Sequence, residues 1–98
     1  MYKVKYSKQA QKDSKKVENA GLKPKTVEII KTVRKNPFEE SQGFEFLTRD
    51  LKGSCSRRIN RQNRFVYQVL PNSEELMDND GTPYEGIVHV LRMWTHYE

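Results

Sequence analysis

The sequence predicts an α+β domain, with an N-terminal strand and a two-helix hairpin packed on an antiparallel sheet formed by the second half of the chain. Three observations predict it. Tyr2, Val4 and Tyr6 alternate with Lys3 and Lys5, the period of two expected of a half-buried strand. Helical spacing takes over between Ser7 and Asn36. From Ser54 onward, β-branched and aromatic residues recur in short alternating runs bounded by polar stretches.

Ser7 can cap the first helix, because its hydroxyl accepts from an N–H of the opening turn. Ala10, Ser14, Val17 and Gly21 then recur at i, i+4, i+7 and i+11 as a stripe of small residues. Such a stripe permits close packing but contributes little burial energy. Gly21 interrupts the pattern, and Pro24 suits the first turn of a second helix, where a missing N–H costs nothing. Val27, Ile29, Ile30 and Val33 form the apolar side of that helix, which ends near Asn36-Pro37. Lysines such as Lys8, Lys12, Lys16, Lys23 and Lys31 read as the solvated outer faces of the hairpin.

Three further strands are expected at Ser54 to Asn60, Arg64 to Leu70 and Gly86 to Trp94. Arg61-Gln62-Asn63 joins the first two, and a segment from Pro71 to Glu85, rich in Asn, Asp, Gly and Pro, joins the last two. No internal repeat, low-complexity tract or linker interrupts this order. Ninety-eight residues fit one domain spanning residues 1–98.

Hydrophobic residues make up 35% of the chain and charged residues 32%, a polar balance for a folded domain. The formal charge of +5 would attract a polyanion, with nucleic acid the first candidate because phosphate binding releases counterions. A modest charge also serves solubility alone, so its placement has to decide. Cys55 is the single cysteine, which excludes an intrachain disulfide and a Cys-rich zinc site and fits a reducing cytoplasm. No apolar run approaches the roughly 18 residues of a spanning helix, and the N-terminus lacks the apolar core of a signal peptide. A cytoplasmic protein with no membrane partner is expected.

The densest charge lies in Ser56-Arg57-Arg58-Ile59-Asn60-Arg61-Gln62-Asn63-Arg64. With the turn centred on Arg61, Arg58 and Arg64 fall opposite each other on one face of the hairpin, where like charges repel. That arrangement suits an absent anion, and the planar fork of arginine matches phosphate. A splayed, solvated pair on an edge strand fits the same pattern, and the spacing leaves both readings open. His96 lies just past the last strand with Tyr97 beside it, and histidine is the usual proton donor or acceptor near neutral pH. A terminal histidine is also commonly just exposed. His89, between Val88 and Val90, reads as a residue of the sheet face.

No carboxylate pair or His/acid spacing suits zinc or magnesium, so neither a metal nor another cofactor is expected. There is no Gly-rich phosphate loop, and Cys55 has no nucleophile signature, reading instead as a buried strand residue. Cleavage of RNA by its own 2′-hydroxyl needs only a base, an acid and cationic charge stabilisation, and residues of all three kinds are present.

Four blocks together resemble the Txe/YoeB toxins, ribosome-dependent messenger-RNA interferases of the RelE superfamily. They are Asn36-Pro37-Phe38-Glu39; Phe44-Glu45-Phe46-Leu47; Leu51-Lys52-Gly53 with Ser56-Arg57-Arg58-Ile59 and Arg64-Phe65-Val66-Tyr67; and His96-Tyr97. The resemblance implies a RelE-like α+β fold and a set of roles. Glu45 would be the general base for the 2′-hydroxyl and His96 the general acid for the departing 5′-oxygen. Arg64 would stabilise the phosphorane, and Tyr97 would orient the base or the scissile phosphate. Arg57, Arg58 and Arg61 are the expected RNA- and phosphate-binding residues. Glu45 is singled out by the resemblance alone, since nothing else separates it from the thirteen acidic residues.

The partners so implied are an acidic antitoxin of the YefM/Axe kind, the bacterial ribosome and its messenger RNA, with a homodimer as a further assembly. Two departures from the family pattern stand out. The Asn72 to Glu85 loop is longer than usual and adds Glu74, Glu75, Asp78 and Asp80. Glu98 follows the His-Tyr pair, and a carboxylate so near His96 would raise its pKa. Two other readings use the same architecture: a non-catalytic ParE-like toxin that inhibits DNA gyrase, and a basic RNA-binding module.

Overall fold

The computed structural model describes residues 1–47 and 53–95. Chain order runs β1 (Lys3–Tyr6), α1 (Lys8–Asn19), α2 (Lys23–Lys35), β2 (Glu45–Phe46), β3 (Ser54–Arg58), β4 (Arg64–Leu70) and β5 (Ile87–Arg92). The strands form one five-stranded sheet in the order β1-β5-β4-β3-β2.

The α+β class stands, with one change to the sheet. β1 joins β5 in parallel, Lys3 opposite Ile87 and Tyr6 opposite Val90, so the sheet is mixed where an antiparallel one was expected. The helix hairpin carries the chain over one face of the sheet before β2 begins, and β1 reaches β5 only through this long connection, as parallel neighbours require. β2 was missed in the sequence. It has two residues, Glu45 opposite Ser56 and Phe46 opposite Cys55, too few to show a period.

Ser7 caps α1 as expected, its Oγ accepting from Ala10 N at 2.9 Å while donating to Leu91 O at 2.9 Å. Pro24 lies in the first turn of α2. Between helices and sheet lies the core: Ala10, Val17, Ile29 and Val33 from the helices meet Cys55, Phe65, Tyr67, Val88 and Val90 from the strands. Alternation therefore sends Ser54, Ser56, Arg58, Arg64, Gln68 and His89 to the other face, away from the helices.

The long β4–β5 connection is tied together by hydrogen bonds. Asn72 accepts from Leu76 N and donates to Leu76 O and Tyr84 O. Asp78 Oδ1 accepts from Asp80 N and Thr82 N, closing the turn at its tip. Among the described residues, no helix is long and apolar enough to cross a membrane.

Candidate functional site

The β3–β4 hairpin places Arg58 directly opposite Arg64. Asn60 sets the turn: its Oδ1 accepts from Gln62 N at 3.0 Å and Asn63 N at 2.7 Å, a side chain doing the work of a backbone turn. Arg61 is exposed at the tip and Arg58 is exposed beside it, whereas Arg64 is buried.

Neutral oxygens hold the Arg64 guanidinium. Nε donates to Ser56 Oγ at 2.9 Å and Nη2 to Gly43 O. Nη2 also lies 3.7 Å from Glu45 Oε2, and the Glu45 side chain is 61% exposed, so this ion pair opens to solvent. Among the described residues Nη1 makes no hydrogen bond, leaving donors for an anion. Burial lowers the Arg64 pKa, Glu45 opposes the shift and Arg58 adds to it. An arginine so shifted still carries its charge at neutral pH.

Gln42 and Gly43 have φ of 54° and 68°, two successive left-handed residues that turn their carbonyls toward the hairpin. Gln42 O accepts from Arg58 N at 2.7 Å and Gly43 O from Arg64. A Cβ on Gly43 would meet Arg58 Cβ at 3.1 Å. Gly43→Ala is therefore expected to lower stability by about 1–3 kcal/mol, read from urea unfolding, because left-handed strain and this contact add.

Arg57 is a correction to the expected phosphate-binding set. It is fully buried on the helix side of β3, and its donors are spent within the protein. Nε donates to Tyr67 Oη at 3.1 Å, Nη1 to Ser41 O at 2.9 Å, and Nη2 to Pro37 O at 3.2 Å and Glu39 O at 2.8 Å. The guanidinium also sits 4.9 Å from the centre of the Phe44 ring. Tyr67 Oη donates to Pro37 O, and burial pushes its pKa up to about 12 against the opposing charge of Arg57. Arg57 thus fastens the segment that leads into β2 and presents Glu45. Cys55, beside it, is buried, and burial raises its thiol pKa while Arg57 opposes, as suits a core residue.

His96 and Tyr97, like Glu98, lie outside the described residues. The approach to them is described. Arg64 N donates to Thr95 O at 2.9 Å, so the arginine of the candidate site also holds the backbone one residue before His96. On the other side stands Asp13, fully buried in α1. Its Oδ2 accepts from Arg92 Nε at 2.9 Å, Met93 N at 3.0 Å and Trp94 N at 3.2 Å, while Oδ1 accepts from Gln9.

Burial alone would raise the Asp13 pKa, but the hydrogen bonds from Met93, Arg92, Gln9 and Trp94 outweigh it and hold the carboxyl below its ordinary value. A depressed folded pKa gives stability that is present above the unfolded value near ~4 and is lost as pH falls through the folded value. Urea unfolding between neutral pH and strong acid should show that loss, and Asp13→Asn should flatten it.

Glu45, Arg58 and Arg64 are therefore gathered on one face, Arg61 stands at the tip beside them, and Arg57 is withdrawn to the core. Ser56, Gly43 and Asp13 were missed. Asp13 had a signal: it sits between Ala10 and Val17 at helical spacing, an acid on the apolar side of a lysine-rich helix. Among the described residues, no three or more His, Cys, Asp or Glu side chains are grouped to hold a metal ion.

Residues 5–97 match the family model described as YoeB-like toxin of bacterial type II toxin-antitoxin system. The Toxin YoeB of Escherichia coli O6:H1 (strain CFT073) is 46% identical over 46 residues, which cover 47% of this chain and 55% of that relative. The aligned stretch thus spans about half the length of the curated relative. Among solved structures, a YoeB/ParE toxin from Agrobacterium tumefaciens superposes with a TM-score of 0.77 at 24% identity, covering 97% of this chain and 99% of that one. The heterotetrameric YoeB-YefM toxin-antitoxin complex from Staphylococcus aureus gives 0.70 at 26% identity, covering 99% of both chains.

Proposed function

Because the chain belongs to the YoeB-like toxin family of bacterial type II toxin-antitoxin systems, we propose that it is a ribosome-dependent endoribonuclease that cuts messenger RNA without a metal. The carrying observation is the Glu45–Arg64 pair at 3.7 Å, an exposed carboxylate beside a guanidinium that neutral oxygens hold in place. An RNA phosphate entering between Arg58 and Arg64 replaces Glu45 as the anion nearest Arg64. The carboxylate is then free to take a proton.

In this reading Glu45 removes the 2′-hydroxyl proton, and the 2′-oxygen attacks the adjacent phosphorus. Arg64 and Arg58 stabilise the extra negative charge of the phosphorane. His96 gives a proton to the 5′-oxygen as its bond to phosphorus breaks, and Tyr97 orients the base or the phosphate. The products are a 2′,3′-cyclic phosphate and a 5′-hydroxyl, with the proton taken at Glu45 matched by the one delivered from His96. Arg61 at the hairpin tip adds a phosphate contact. A cytoplasmic antitoxin of the YefM kind is the proposed inhibitor, by analogy with the YoeB-YefM complex.

The test is primer extension on a translated messenger RNA with wild type, His96→Ala and Glu45→Ala. Wild type should cut in EDTA and both variants should lose most of the activity. Uncut RNA with wild type overturns the nuclease reading. Cleavage abolished by EDTA overturns the metal-free mechanism, and normal cutting by both variants overturns the residue assignment.

A further inference from the structure

On the side of the molecule occupied by the helices, α1 and α2 stand apart and leave a groove of about 240 Å³. Its apolar lining comes from Tyr6, Val17, Val27, Ile30 and Met93. Tyr6 and Val27 are 37% and 36% exposed, so part of this apolar surface faces solvent. The small-residue stripe of α1 does not close the gap. Ser14 lines the groove, where a larger residue would have filled it.

The charge around the groove has one sign. Lys23 lines it, and helical spacing places Lys8 and Lys15 on the outer shoulder of α1 and Lys31 and Arg34 on that of α2. All five are exposed. Glu18 is the one acid in the lining. An apolar floor between cationic shoulders is complementary to a helix with one apolar face and acidic flanks, the helix-in-groove mode of recognition. RNA would use the cations but leave Val27, Ile30 and Met93 without partners, so nucleic acid fits this face less well.

We propose that the α1–α2 groove docks an acidic amphipathic helix of a protein partner, with Tyr6, Val27 and Ile30 taking its apolar side chains and Lys15 and Lys23 its carboxylates. This inference is independent of the RNA-cleaving reading, whose residues lie on the opposite face of the sheet. α2 is about 20 Å long at 1.5 Å per residue, room for an equal length of helix in the partner.

The test is fluorescence anisotropy with a labelled synthetic peptide that carries leucines at helical spacing on one face and glutamates elsewhere. A control has the same composition with the leucines scattered. Wild type should bind the first peptide at least tenfold more tightly than the second, with affinity falling as salt rises. Val27→Asp should weaken binding at least tenfold, and the double variant Lys15→Glu/Lys23→Glu should remove most of the salt dependence. Both variants alter exposed positions, and circular dichroism confirms their folding. No binding by wild type, equal binding of the control peptide, or unchanged affinity in both variants overturns the proposal. So does displacement of the peptide by single-stranded RNA, which would place it on the arginine face, or binding to phosphatidylglycerol vesicles in place of the peptide.

Discussion

Glu45→Gln is expected to slow RNA cleavage by about 10²- to 10⁴-fold, the usual range for loss of a positioned general base, while the protein stays folded. The amide keeps the size of the side chain but cannot take the 2′-hydroxyl proton. Because the carboxylate is 61% exposed and its contact with Arg64 is 3.7 Å long, the change should hardly move the urea midpoint. A single-turnover rate separates the effect from RNA binding. Binding should hold or tighten, since Arg64 loses the anion that competes with phosphate. A rate within threefold of wild type would dismiss Glu45 as the base.

The second large effect is on stability. Arg57→Met should destabilise the fold by about 3–5 kcal/mol, the range found when one partner of a buried charged network is removed. That is a large fraction of the ~5–15 kcal/mol that holds a typical domain together. Methionine fills much of the volume but leaves the carbonyls of Pro37, Glu39 and Ser41 without the donors that Arg57 supplies. Arg57→Lys should be nearly as harmful, because an ammonium cannot span acceptors spread along Pro37 to Ser41 and reach Tyr67 as well. Chemical unfolding of purified variants checks both. A loss below 1 kcal/mol for either would show that the segment before β2 holds itself.

Much of the architecture was legible because burial imposes a period. Tyr2, Val4 and Tyr6 marked β1, and Val27, Ile29, Ile30 and Val33 marked the inner side of α2. A half-buried edge strand shows the same alternation in either direction, which is why the parallel pairing of β1 with β5 was hidden. β2 was hidden by its length.

At the site, the like-charge argument located Arg58 and Arg64 correctly as opposite neighbours. The same alternation would have sent Arg57 to the other face and into the core, but the density of arginines obscured that consequence. Glu45 carried no local signal: its importance depends on Gly43, Ser56 and Arg64, which meet it only through strand pairing and a turn. His96 and Tyr97 rest on the family pattern.

The parallel pairing of β1 with β5 also bears on how the chain reaches its native state. Lys3 meets Ile87 and Tyr6 meets Val90, contacts separated by most of the chain. Such distant pairings require loop closure before they return any energy, which slows folding. During synthesis β1 has no strand to pair with until β5 has left the ribosome, and Asp13 likewise waits for the backbone of Met93 and Trp94. The nascent helical hairpin spends that interval with its core face uncovered. Completion of the sheet is thus a late event, and it is the same event that brings the chain leading to His96 against Arg64.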